Sequence, residues 1–142
     1  LHDALPISII PDPTLRRRFQ SARAGFVPGV HALGFTAALA AWRDCQEWHD
    51  QLIEYLRGNR DRVQGAVDAH PALNMNTPAA TYLAWIDSRG LMVDDTAAAF
   101  ERAGLGLSDG REFAVPGFVR LNFACPRSRL EDGLARLARV GA

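Results

Sequence analysis

The chain has 142 residues, 48% hydrophobic and 23% charged, with sixteen basic side chains balancing sixteen acidic ones. That length suits one domain or part of a larger one, able to bury roughly two thirds of its unfolded surface. Charge balance gives no general electrostatic reason to bind nucleic acid or an anionic membrane, and no apolar run approaches the ~20 residues of a bilayer-crossing helix.

Residues 1–8 (LHDALPIS) show neither helical nor strand periodicity. They also lack the basic and apolar regions of a signal peptide. They read as foreign sequence ahead of a truncated frame, the alternative being an ordinary disordered terminus. Asp12-Pro13 then reads as an N-cap and first helical residue. Leu15, Phe19 and Ala22 share one face of that helix, Arg16 to Arg18 lie opposite, and Gly25 ends it. After a loop at 26–29 a second, alanine-rich helix is predicted over 33–44, with Phe35, Leu39 and Trp42 at helical spacing. A third helix is predicted over 46–69, with a stripe from Trp48 and Leu52 to Val63 and Val67, and a bend at Gly58-Asn59. A helix of more than twenty residues spans about 30 Å, long for so small a domain, and suggests a strut between two bodies.

The pattern changes after Pro71. Residues 73–76 read as a short strand and 77–78 as a turn. Residues 81–86 (TYLAWI) read as a strand apolar on both faces. Asp94 or Asp95 caps a helix running through Phe100 to Ala103 and closed by Gly104. A loop with Gly106 and Gly110, with room for a short strand, follows over 105–113. In 118–124, Val119, Leu121 and Phe123 take one face of a strand, and Arg120 and Asn122 the other. Ser128 to Glu131 has the form of a capping box, and Leu130, Leu134 and Leu137 give the last helix its buried stripe. The organisation is three helices followed by an α+β unit, a two-layer sandwich.

The chemistry-bearing residues are few. All sixteen basic side chains are arginine, so no lysine is present to form a Schiff base or act as a general base. Cys45 and Cys125 are far apart, without CxxC spacing, and read as reduced, partly buried thiols. His31, His49 and His70 share no metal-ligand spacing and read as surface or capping residues. Tyr82 and Trp85 read as core.

From Ile9 onward the chain resembles the C-terminal third of fold type I pyridoxal-phosphate enzymes, the class I/II aminotransferase superfamily, and within it the cystathionine β-lyase-like (C–S β-lyase) group. The blocks that carry this are Ile9-Ile10-Pro11, Pro28-Gly29-Val30, Leu33-Gly34, Trp48, and Leu56-Arg57-Gly58-Asn59-Arg60. They continue with residues 80–87 (ATYLAWID), 104–113 (GLGLSDGREF) and 117–127 (GFVRLNFACPR). The resemblance implies that residues 9–49 are a helical remnant of a large cofactor domain. Residues 50–142 would be a linking helix and a small α+β domain of the transferase-like α/β fold. It implies pyridoxal 5'-phosphate as cofactor, an amino-acid substrate, a cytoplasmic homodimer, and no nucleic-acid or membrane partner. In such enzymes a lysine holds the cofactor, so this chain alone is expected to be inactive, with no catalytic, cofactor-binding or metal residue of its own.

What the resemblance assigns to this chain is Arg120, which would bind the substrate α-carboxylate. A planar guanidinium makes two parallel charge-assisted hydrogen bonds to a carboxylate. Asn122 would orient Arg120 or pair with backbone, and Ser108 and Gly110 would lie in a loop at the active-site mouth. A fragment of a class I/II aminotransferase is the alternative of the same fold. A non-catalytic α+β binding module is the alternative of a different class.

Overall fold

The computed structural model describes residues 8–25, 29 and 31–141. Residues 1–7, 26–28, 30 and 142 lie outside the described residues, and with them the expected loop at 26–29 save Gly29 and most of the Pro28-Gly29-Val30 block. The chain divides into two compact units between Asp50 and Gln51.

In the first unit, helix α1 spans Pro13–Arg23. Its N-cap Asp12 accepts hydrogen bonds from the Thr14 and Leu15 amides at 2.7 and 2.9 Å, and Gly25 follows the helix at φ +83°. Helix α2 spans Ala32–Asp44, capped by His31, whose Nδ1 accepts from the Leu33 amide at 3.2 Å. Neither helix contains a buried residue.

The 23-residue helix α3, Gln46–Asp68, begins in the first unit and continues through the second. Gly58-Asn59 does not interrupt it. Asn59 instead receives the segment between the last strand and the last helix, and Gly58 the first residue of that helix. Asn59 is fully buried and donates through Nδ2 to the carbonyls of Phe123 (2.9 Å) and Cys125 (3.2 Å). The missing side chain at Gly58 leaves room for the Arg127 guanidinium, which lies 3.2 Å from where a Cβ would stand. Arg127 also lies over the Tyr55 ring at 4.9 Å.

The second unit is α+β, with helices over one antiparallel sheet. Strands β1 (Asn74–Met75), β2 (Leu83–Asp87), β3 (Ser108–Asp109) and β4 (Phe118–Asn122) lie in the order β1-β2-β4-β3. Helix α4 (Thr96–Arg102) is capped by Asp95, which accepts from the Ala98 amide at 3.0 Å. Helix α5 (Arg127–Leu137) closes the fold. One face of the sheet supplies Ala84, Ile86, Val119 and Leu121 to the core, which also holds Val63 and Val67 of α3, Phe100 of α4, and Leu130 and Leu137 of α5.

Three expectations need correction. The strand at 81–86 is not covered on both faces: it runs Leu83–Asp87, with Ala84 and Ile86 buried and Leu83, Trp85 and Asp87 only partly so. Thr81 cannot belong to it, because its φ is +68°, outside extended backbone. Tyr82 is exposed rather than core. Ser128 is not an N-cap: α5 begins at Arg127, two residues earlier than such a cap implies, with Pro126 in the cap position and no side-chain capping bond. Arg127, held against α3, draws the helix start forward, and the Leu130 amide donates to the Pro126 carbonyl at 3.1 Å.

Candidate functional site

The sheet face away from the core carries the candidate site. Strand alternation and register place Leu83, Trp85 and Asp87 of β2 beside Asn122, Arg120 and Phe118 of β4. Ser108 of β3 pairs with Arg120 from the other side. Arg120 therefore stands in a row of three, between Trp85 and Ser108.

Its Nη2 donates to Ser108 Oγ at 3.2 Å, and its Cζ lies 4.5 Å from the centre of the Phe113 ring. Among the described residues no carboxylate forms an ion pair with Arg120. A guanidinium on a half-open face, steadied on one side and without an anionic partner, is chemically suited to take a carboxylate from outside.

A chain of ring contacts extends from Arg120. Phe113 meets Trp85 edge to face at 5.5 Å and 87°. Trp85 stacks on Phe118 at 5.8 Å and 16°. Arg89 covers Phe118 at 5.1 Å and is held by Asp87 in a two-pronged pair of 2.9 and 2.7 Å. That pair holds the Asp87 carboxyl below its ordinary range.

Ser108 and Gly110 lie in a short, pinned segment. Gly110 is buried and opens a 3-10 turn, Gly110–Phe113. A Cβ there would collide with the carbonyl oxygens of Val115 and Phe118. Asp109 Oδ1 accepts from the Arg111 amide at 2.8 Å. The Arg111 guanidinium bridges Asp109 and the α4 cap Asp95, 3.0 Å from Asp95 Oδ2. At Asp95 the Ala98 amide, and after it Arg111, holds the carboxyl low. At Asp109 the Arg111 side chain is the main cause, followed by the Arg111 amide.

Asn122 shares the face of Arg120, but its Oδ1 accepts from the Ala124 amide at 2.9 Å, forming the turn that ends β4. Among the described residues no hydrogen bond joins it to Arg120. Phe113 and Trp85 are the neighbours that sequence reasoning missed. Trp85 had a signal: it alternates with Ala84 and Ile86 and so falls on the face of Arg120. Phe113 closes the 104–113 block that carries the resemblance, but its non-periodic turn gave no sign that it would stand over Arg120. No group of three or more His, Cys, Asp or Glu among the described residues could hold a metal ion, and none of their helices is long and apolar enough to cross a membrane.

Residues 12–137 match the family described as aminotransferase class I and II. The chain belongs to this family. Protein MalY of Escherichia coli K12 is 37% identical over 137 residues, covering 91% of this chain and 35% of that protein. The crystal structure of OvoB superposes with a TM-score of 0.88 at 50% identity, covering 93% of this chain and 35% of the other. Cystalysin from Treponema denticola, whose structure contains pyridoxal 5'-phosphate, superposes at 0.80 with 30% identity, again with 93% and 35% covered. The chain thus spans about a third of the length of these class I/II relatives. Its helices and small antiparallel sheet are part of their shared fold.

Proposed function

We propose that this chain is the substrate-carboxylate-binding part of a pyridoxal-phosphate-dependent carbon–sulfur β-lyase, which converts cystathionine or a cysteine S-conjugate and one water to pyruvate, ammonia and a thiol. One observation carries the reading: among the described residues Arg120 has no ion-pair partner on the open sheet face, in a chain 37% identical to MalY and 35% identical to the cystathionine beta-lyase of Corynebacterium glutamicum.

The residues present do not fit the cofactor by themselves. The chain has no lysine, so no side-chain amine can bond covalently to the cofactor aldehyde. Residues outside this chain would hold the group. The work of this chain is to bind and orient. Two N–H groups of Arg120 fix the carboxylate, and fixing it sets the direction of the bonds at the substrate Cα. Ser108 occupies one donor of the same guanidinium and limits its rotation. The reading also carries a cytoplasmic homodimer with an amino-acid substrate, supported by the family likeness. Aminotransferases share the family, and LL-diaminopimelate aminotransferase of Nitratidesulfovibrio vulgaris is 24% identical.

The test is to express the whole coding frame to which this chain belongs and assay pyruvate from L-cystathionine without a keto-acid acceptor. Pyruvate release is expected, and Arg120→Ala is expected to raise KM by about tenfold or more, the loss of a charge-assisted pair worth roughly 1.5–3 kcal/mol. Turnover that depends on a keto acid would favour the aminotransferase. A protein that folds cooperatively and does not bind the cofactor would favour a binding module.

A further inference from the structure

We propose that Phe113 is a positioning residue for Arg120, holding the guanidinium in the orientation that receives the carboxylate. The inference rests on the carboxylate role of Arg120 and adds a residue that does not touch the substrate carboxylate itself.

Phe113 is 42% exposed and lies outside the buried core. Burial therefore does not account for its aromatic ring. What the ring does is present a face to Arg120 and contact Trp85 edge to face. An arginine carries large rotamer freedom, and freezing it during binding weakens binding. Here the freezing is done beforehand, by the ring on one side and the Ser108 hydroxyl on another. Both contacts leave further N–H donors of the guanidinium for an incoming carboxylate.

The ring is itself fixed. The turn that carries it begins at Gly110, where no Cβ fits, and ends at Ala114 with φ +59°. Its closing bonds run from the Val115 amide to the Gly110 carbonyl (2.9 Å) and from the Ala114 amide to the Arg111 carbonyl (3.1 Å). Arg111 ties the turn to the cap of α4 through Asp95. Trp85 is held in turn by Phe118, and Phe118 by Arg89. So many restraints on a half-exposed phenylalanine suit a platform better than a surface accident.

The experiment uses the whole coding frame with L-cystathionine as probe. Phe113→Leu and Phe113→Met remove the ring, Phe113→Trp keeps one, and Phe113→Leu is also placed on Arg120→Ala. The ring-less variants are expected to raise KM about two- to fivefold with kcat nearly kept, as loss of a half-exposed cation–π contact predicts. Phe113→Trp should restore KM, and Phe113→Leu should add nothing once Arg120 is gone. A second readout needs no turnover: in the 142-residue chain, the Arg120 Nε–Hε resonance should be displaced by the ring current and return to the ordinary arginine position in both ring-less variants. If Arg120→Ala raises KM while the ring-less variants match wild type, the positioning role falls and the carboxylate role stands. Equal effects of Phe113→Leu with and without Arg120 would also overturn it. If Arg120→Ala leaves KM unchanged, the carboxylate role fails, and this inference with it.

Discussion

At Gly110 the constraint is space rather than backbone conformation. A Cβ built there falls 2.5 Å from the Phe118 carbonyl oxygen and closer still to that of Val115. Both oxygens belong to backbone, which cannot swing aside as a side chain can. Gly110→Ala must therefore push the turn away from β4, and Phe113 moves with it. The expected cost is about 1–3 kcal/mol, in the range of overpacking, read as a lower urea midpoint with an unchanged slope. An unchanged midpoint would show that the turn yields easily. Gly58 differs, because the nearest atom to its Cβ position belongs to the flexible guanidinium of Arg127.

The segment from β3 through the following turn is secured by charge as well as by packing. Arg111 bridges Asp95 and Asp109, and both carboxyls sit below their ordinary range. A carboxyl depressed in the folded state contributes stability that is present above its unfolded pKa, near 3.9, and lost as pH falls through the lower folded value. The bridge should thus persist through neutral and mildly acid pH and fail only below the ordinary carboxylate range. Arg111→Leu should raise both pKa values, and Asp109 more than Asp95. The reason is the order of causes: the guanidinium leads at Asp109, whereas the Ala98 amide leads at Asp95 and survives the substitution. Carbon-detected titration of the two carboxyls checks this, and a larger rise at Asp95 would contradict it. The sequence shows this segment poorly, because a two-residue strand and a 3-10 turn leave no period to read. It shows α1, α2 and β4 well, through Asp12-Pro13, the alanine-rich run, and the alternation of Val119, Leu121 and Phe123 with Arg120 and Asn122. The capping box at Ser128 misled, because a contact distant in sequence, Arg127 against Tyr55 and Gly58, decides where α5 begins. Asn59 looked like a break in a helix for the same reason: its partners, the Phe123 and Cys125 carbonyls, lie more than sixty positions away. The place of Arg120 on the sheet face away from the core was legible from strand parity, and the Phe113 ring beside it was not.

Across the whole chain, burial is distributed unevenly. Val63, Val67, Ile86 and Val119 of the second unit are fully buried. In the first unit α1 and α2 bury nothing, and Leu33, Phe35, Leu39 and Trp42 of α2 are exposed, Trp42 at 89%. Helices shorter than about 12–15 residues are marginal in water unless an apolar face is packed, and α1 and α2 have 11 and 13 residues. Good caps at Asp12 and His31 offset only part of the cost of ordering the backbone. Amide hydrogen exchange on the 142-residue chain should therefore separate the two units. Amides of α1 and α2 should exchange through local opening with a free energy near zero, while those of Val63, Ile86 and Val119 should exchange only through global unfolding of their unit. Denaturant should sharpen the contrast: rates at the buried positions should rise steeply, and those in α2 should barely respond, because little further surface is exposed there. If the α2 amides were protected as strongly as Ile86, packing not visible in its exposed side chains would have to supply the stability, as self-association through the Phe35, Leu39 and Trp42 face would. Dependence of that protection on protein concentration separates the two cases, since stability drawn from association follows mass action and stability within one chain does not.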